Sequence, residues 1–260
     1  MLKIATPVSH LFLNEENAKK IIKYSDCLEV REHTINLNYK KEHLFHVDRD
    51  ITLPWNKKFK IFFLQIIKKK KLKLITFQCS RCCSGEKKID GRFQLSGKIF
   101  TKDQMFFNAK KNINWLKNNI SKRIKIGVEN NNYYPTKAYN FVTDGNFISE
   151  LVIKNKIFFL LDLAHAQITS YNKKIKLKKY LNSLPLNKAI QIHIVNYKIK
   201  KKEEIAIDTH YVPTLKTYRL VSKILANYPS IQYLTIEYYR NTKILIESIK
   251  KLKKIINIYK

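Results

Sequence analysis

Residues able to bind a metal recur at the ends of apolar runs along this chain. His46 stands in HLFHVD, Glu129 in KIGVENN, Asp162 and His165 in IFFLLDLAHA, and His193 in AIQIHIVN. Asp208 and His210 follow in AIDTH, and Glu237 in YLTIEYY. Imidazole nitrogen plus carboxylate oxygen is a donor set for Fe(II), Mn(II), Co(II) or Zn(II) rather than Mg(II) alone. The D-x-x-H spacing of 162–165 lets a strand-terminal carboxylate and a His in the next turn face one ion. The D-x-H of 208–210 puts two side chains on the same face of an extended segment. Taken singly, each has an ordinary explanation: a rim carboxylate in a salt bridge, or a core His with its ring satisfied. A carboxylate at a buried strand end is costly unless paired or metal-bound. Its repetition strand after strand is what a parallel barrel with one ligand per strand produces.

The elements needed to position these residues are legible. Strands are expected at 2–5, 27–30, 44–47, 73–79, 124–130, 157–163, 189–195 and 232–238. Helical patterns fill 14–24, 57–70, 103–119, 137–154, 173–183, 214–227 and 241–257. Short strands alternating with longer helices imply βαβ units, and eight right-handed units close an α/β barrel of the TIM, (β/α)8, type. Two segments depart from that plan. EHTINLNYKKEH, between strands 2 and 3, is too short and irregular for a helix. Residues 80–102 form a long loop after strand 4 with three of the five glycines, and are expected to act as a lid or substrate platform. With no repeat, linker or composition break, residues 1–260 are expected to form a single TIM-barrel domain. Glu29 (CLEVRE) and His10 (PVSH) extend the strand-end series, whereas His33 and His43 fall in loops. None of the seven histidines lies on a predicted helix.

The net charge of +31 suggests an anionic partner. Only seven of the 51 basic residues are Arg, however, and lysine-rich runs such as KKKKLK (68–73) read as solvated helix faces. Nucleic acid is therefore a weaker expectation than compositional bias, since base and phosphate readers recruit Arg. No apolar run reaches the ~20 residues of a membrane helix. The N-terminal sequence has no signal-peptide pattern, so a cytoplasmic protein with no membrane contact is expected. Cys79, Cys82 and Cys83 cluster at the end of strand 4, but no second cysteine pair completes a zinc site.

The order of these motifs resembles the xylose-isomerase-like barrel superfamily, and within it the multinuclear non-heme iron-dependent oxidases. LFHVD (His46), VENNNYY (Glu129, Asn130), LLDLAHA (Asp162), IQIHIVN (His193), AIDTH (Asp208, His210) and TIEYY (Glu237) carry the likeness across about residues 40–240. The resemblance implies two or three Fe ions that use O2 to modify cysteines of a ribosomally synthesised peptide, with a partner protein that binds the peptide's leader. Glu129 and Asp208 would bridge ions, His46, His193 and His210 would be terminal ligands, and Glu237 would close the ring. Asn130, Arg81, Cys79 and Cys82 are expected to contact substrate. The chain departs from the family in reading FQCSRCC where members have Ser-Glu-His. It also has Ala164 and His165 where they have two asparagines, so His165, Cys79 or Cys82 could replace a ligand. Two other enzyme chemistries suit the same residues with Mn or Zn. One is a sugar isomerase or epimerase with Glu129 and Glu237 as an acid/base pair, the other an endonuclease IV-like phosphodiesterase. A non-catalytic binding scaffold is the fourth expectation.

Overall fold

The apolar runs form eight parallel strands that close into a barrel. In the computed structural model, which describes residues 2–257, these are β1 (Lys3–Pro7), β2 (Cys27–Arg31), β3 (Glu42–Asp50) and β4 (Leu74–Gln78). They continue with β5 (Lys125–Glu129), β6 (Phe158–Asp162), β7 (Ala189–Ile194) and β8 (Tyr233–Ile236). Each strand pairs with its sequence neighbours, and β8 returns to β1. The expected α/β TIM barrel is thus the observed fold.

The helices are α1 (Glu15–Tyr24), α2 (Lys57–Lys69), α3 (Lys102–Asn119), α4 (Gly145–Asn155), α5 (Leu163–Asn172), α6 (Leu177–Ser183), α7 (Leu215–Asn227) and α8 (Thr242–Asn257). As expected, β2 and β3 are joined without an α-helix, only a short 3-10 turn at Glu32–Thr34. Two helix expectations need correction. The stretch 137–154 is a 3-10 turn at Lys137–Tyr139 followed by α4, because Phe141 takes a left-handed φ of 67° that no helix continues through. The stretch 173–183 is only α6. An unforeseen α5 begins directly after β6, capped by the Asp162 side chain accepting from His165 N–H. Seven of the ten residues of α5 are buried, so it shows no amphipathic period to read. His165 therefore stands in the first turn of a helix rather than in a loop.

Two core layers hold the barrel. Inside, Ala5, Cys27, Leu44, Leu74, Ile190 and Tyr233 plug the end opposite the strand C-termini, with Phe158 against them. Outside, side chains on the other strand face meet the helices. Phe59, Phe63 and Ile66, on one face of α2, pack with Phe45, Phe77, Trp55 and Trp115. Each such buried side chain contributes about 1.5–3 kcal/mol. With the lower end sealed by apolar groups, alternation along each strand leaves the polar side chains at the C-terminal mouth.

The loop 80–101 is tied down. Ser84 and Gly85 bond back to Lys98 and Ser96, and Gly97 at φ +68° lies so close to Gly85 that a β-carbon would meet its nitrogen at 2.9 Å. The loop's tip is a hairpin pairing Lys88–Ile89 with Arg92–Phe93. A second hairpin, Asn196–Lys200 with Ile205–Tyr211, rises after β7 and carries Asp208 and His210.

Candidate metal centre

Strand register assembles the centre. Asp162 pairs with His193 across β6 and β7, His193 with Thr235 across β7 and β8, and Arg31 with His46 across β2 and β3. His193 is fully buried at the middle of the result. Its Nδ1 lies 3.0 Å from Glu129 Oε1, 3.3 Å from Glu237 Oε1 and 3.9 Å from Asp162 Oδ2, and its Nε2 lies 3.1 Å from Glu29 Oε2. Burial opposes a charge on this ring, but Glu237, Glu29 and Glu129 outweigh it and raise its pKa well above the usual histidine value.

His165 reaches in from α5. Its Nδ1 is 2.9 Å from the Asn130 carbonyl, which can only accept, so Nδ1 carries the proton and Nε2 faces Asp208 Oδ2 at 3.5 Å. Burial again opposes protonation, yet Asp162, Asp208 and Glu129 drive this pKa well above the ordinary value. Asp162 moves the other way for a carboxylate: burial raises it strongly, and neighbouring Glu129 and Glu237 add to the effect despite His165. His46 is buried and its pKa is lowered by desolvation, in spite of Glu129 nearby. Its Nδ1 meets Thr76 Oγ1 at 2.9 Å, leaving Nε2 turned toward Glu129 Oε2 at 3.4 Å. His210 is half-exposed, with Nδ1 3.4 Å from Asp208 Oδ1 and Nε2 4.0 Å from Glu237 Oε2. Its φ of 48° breaks the regular strand, so the pair adjoin through a bend rather than a shared extended face.

All eight ligand-type residues expected from the sequence thus meet at one end of the barrel. Among the described residues, two sets place donor atoms within 4.8 Å of one another: Glu129, Asp162 and His165, and Glu29, His193 and Glu237. Asp162 Oδ2 and His193 Nδ1 are buried without a hydrogen-bond partner. Orphaned ligand-type atoms of this kind are what a cation would satisfy; Asp162 Oδ2 belongs to the first set and His193 Nδ1 to the second. In the second set both carboxylates already pair with Arg31, whose Nη2 is 2.5 Å from Glu29 Oε1 and also meets Glu237 Oε1.

The substrate-contact expectations divide. Arg81 lines the cavity above the centre, a space of about 510 Å³ walled by Phe93, Tyr134, Tyr139, Asn131 and Asn132 and rimmed by Lys88 and Lys200. Asn130 does not line it. This fully buried side chain donates to the Asp162 carbonyl at 2.9 Å and accepts from the Asp162 N–H at 2.8 Å, so it is a brace between β5 and β6. Cys79 and Cys82 do not line it either. Asp50 collects the N–H groups of Ser80 and Arg81 at 2.7 and 3.2 Å, turning the chain so that Cys79, Cys82 and Cys83 enter the outer apolar core. Desolvation pushes the Cys79 thiol well above its usual pKa, which disfavours a thiolate ligand.

Three contributors escaped the sequence reading. Gln78, not a cysteine, is the β4 residue at the centre, its Nε2 2.6 Å from His46 Nε2 and 2.9 Å from Glu129 Oε2. Gln191 donates to Glu29 and to Thr235 Oγ1. Arg31 neutralises two carboxylates and holds Glu29 down to about 2 against the effect of burial. Strict alternation from Thr76 would have turned Gln78 inward and Cys79 outward.

Known proteins agree with this architecture. A D-psicose 3-epimerase of Clostridium cellulolyticum, solved with D-tagatose, superposes with a TM-score of 0.59 at 12% identity over 99% of both chains. Endonuclease IV of Thermus thermophilus gives 0.58 at 8% identity over 98% of this chain and 99% of its own. At such identities they show the fold alone. A UPF0276 protein of Vibrio parahaemolyticus is 30% identical over 91 residues, 34% of this chain and 32% of that protein. One of Acaryochloris marina is 26% identical over 89 residues, 34% and 32% of the respective chains. The matched segments thus span about a third of these curated relatives. The family model for the RiPP precursor modification enzyme MbnB/TglH/ChrH matches residues 98–260, the part that contributes Glu129, Asp162, His165, His193, Asp208, His210 and Glu237. The chain belongs to that family of enzymes.

Proposed function

We propose that this chain is an iron-dependent oxidase that uses O2 to modify cysteine residues of a ribosomally synthesised peptide, on a di- or tri-iron centre and with a leader-binding partner protein. The observation that carries the reading is the buried Asp162 Oδ2, which makes no hydrogen bond, beside Glu129 and His165. It stands beneath a cavity of a size to admit one or two peptide side chains. Bound iron would supply the redox chemistry with O2 that side chains lack.

The chain's own groups do the rest. Asn130 and Asp162 fix the start of α5, and the Asn130 carbonyl orients His165 so that Nε2 is presented to the centre. His46 presents Nε2 because Thr76 takes Nδ1. The aromatic wall of Phe93, Tyr134 and Tyr139 excludes water from one side, and Arg81, Lys88 and Lys200 place positive charge where an extended acidic peptide would enter. An epimerase would need Glu237 as a proton acceptor. His193 and Arg31 instead hold its carboxyl well below the usual range despite burial, which leaves it a poor base at neutral pH.

The test is anaerobic purification, metal analysis with Mössbauer spectroscopy, and O2 uptake with a cysteine-bearing precursor peptide. Iron, O2 consumption and a mass change on the peptide cysteine are the expected results. Interconversion of ketose epimers without O2 uptake would replace this reading with the epimerase.

A further inference from the structure

The centre gathers five carboxylates, from Glu29, Glu129, Asp162, Asp208 and Glu237, and one permanent cation, the guanidinium of Arg31. Arg31 is not a loop residue that has strayed in. It lies on the same inward face of β2 as Cys27 and Glu29, and its register against His46 in β3 fixes its height in the barrel. The side chain is buried, and its Nη2 serves Glu29 Oε1 and Glu237 Oε1 together. Tyr239 Oη donates to the same Glu237 oxygen at 3.3 Å, and Gln191 donates to Glu29 Oε2. Both carboxylates of the second donor set, Glu29, His193 and Glu237, are therefore already engaged by a cation, while His193 Nδ1 makes no hydrogen bond.

We propose that Arg31 is a built-in substitute for a metal ion: it occupies the Glu29–Glu237 pair and excludes a divalent cation from the Glu29, His193, Glu237 set, so metal binding is confined to the side of the centre built on Glu129, Asp162 and His165. The physical reason is that a guanidinium stays charged at every accessible pH and cannot step aside by losing its proton. A dication bound by the same two carboxylates would sit against it with like charge in a desolvated site. Asp162 Oδ2, by contrast, forms no ion pair with Arg31; the basic groups beside it are the rings of His165 and His193, at 3.8 and 3.9 Å. This inference rests on the metal-dependent reading above and adds which donors are open to metal.

The experiment counts iron per chain after anaerobic loading of the full-length protein with Fe(II) and desalting, with circular dichroism to confirm folding. Glu29→Gln is expected to keep the wild-type count, because Glu29 serves Arg31 and not a metal. Asp162→Asn is expected to lose about one ion per chain, and Arg31→Met to gain about one and to melt higher when Fe(II) is added. Loss of iron in Glu29→Gln overturns the proposal, as does a folded Arg31→Met protein with the wild-type count. If Arg31→Met does not fold, recovery of its fold by Fe(II) supports the proposal; without recovery, the Glu29→Gln count alone decides. A wild-type chain that takes up no iron sinks both this inference and the proposed function, whereas iron uptake that depends on Glu29 sinks this one only.

Discussion

Gln78 holds two ligand-type groups in place at once, donating from one amide nitrogen toward His46 Nε2 and Glu129 Oε2. Replacing it with Leu keeps the volume and removes both bonds, which occupy the His46 and Glu129 atoms that a metal would take and must be broken before it binds there. Gln78→Leu should therefore tighten Fe(II) or Mn(II) binding by about 2–10-fold without unfolding the protein, as measured by competition with a chelating dye. Weaker binding would show that Gln78 orients these groups for the metal rather than competing with it. Protonation gives a second expectation. His165 and His193 both have pKa values raised well above the ordinary one by surrounding carboxylates. In the metal-free chain they therefore hold protons more tightly than in the unfolded state. That contribution to stability is complete below the unfolded histidine pKa and is lost as pH rises through the raised folded value. A metal on Glu129, Asp162 and His165 must displace the His165 proton, so its apparent affinity should climb with pH from 6 to 8, with about one proton released per ion. Calorimetry in buffers of different ionisation enthalpy reads that number, and pH-independent affinity would contradict the assignment. The histidines and carboxylates were legible because their types are rare in apolar runs. Gln78 and Gln191 were not, because an uncharged amide gives no such signal, and Arg31 was hidden within a general excess of basic residues.

At the scale of elements, the strands were readable because each is a short apolar run bounded by polar residues. The helix after β6 was not, because LDLAHAQI is buried on nearly every side and shows no change from a period of two to one of 3.6. His165, expected in a turn, instead stands on this helix, where its backbone N–H bonds Asp162 and its ring bonds Asn130. The end of α4 gives a stability prediction. Lys156 closes this helix at φ 50°, with its N–H and that of Ile157 returning to carbonyls of the last turn. That left-handed closing position is one glycine favours and a β-carbon disfavours. Lys156→Gly should therefore stabilise the protein by about 0.5–1 kcal/mol, seen as a higher denaturant midpoint with unchanged slope. A lower midpoint would mean that the lysine side chain contributes more than the backbone strain costs. The two hairpins over the cavity were also beyond the sequence reading. Each is short, and what joins them is an ion pair between Arg92 and Glu203, 111 residues apart.

For the whole molecule, charge is the property most exposed to test. With 51 basic and 20 acidic residues, positive charges outnumber negative ones by 31, an excess that ion pairing cannot neutralise. Visible surface pairs such as Lys19–Glu15 and Lys20–Glu16 are one-turn helix contacts between exposed side chains. Such pairs contribute little and weaken as salt is added. Repulsion among the unpaired lysines acts in the opposite direction: salt screens it and so stabilises the fold. The screening length shortens from about 30 Å at 0.01 M to about 8 Å at 0.15 M, which spans the spacing of many surface lysines at the lower salt and few at the higher. Repulsion outnumbers attraction here, so added salt should raise stability. Between 0.01 and 0.15 M NaCl the metal-free protein should gain about 1–2 kcal/mol, equivalent to roughly 2–8 °C in melting temperature. The same screening should weaken capture of an acidic peptide while leaving a neutral one unaffected, because steering by a net field depends on ionic strength and contact chemistry does not. A melting temperature that falls with salt would mean that local ion pairs outweigh the global charge. Equal salt dependence for acidic and neutral peptides would mean that the lysines are a solvated coat with no part in recognition.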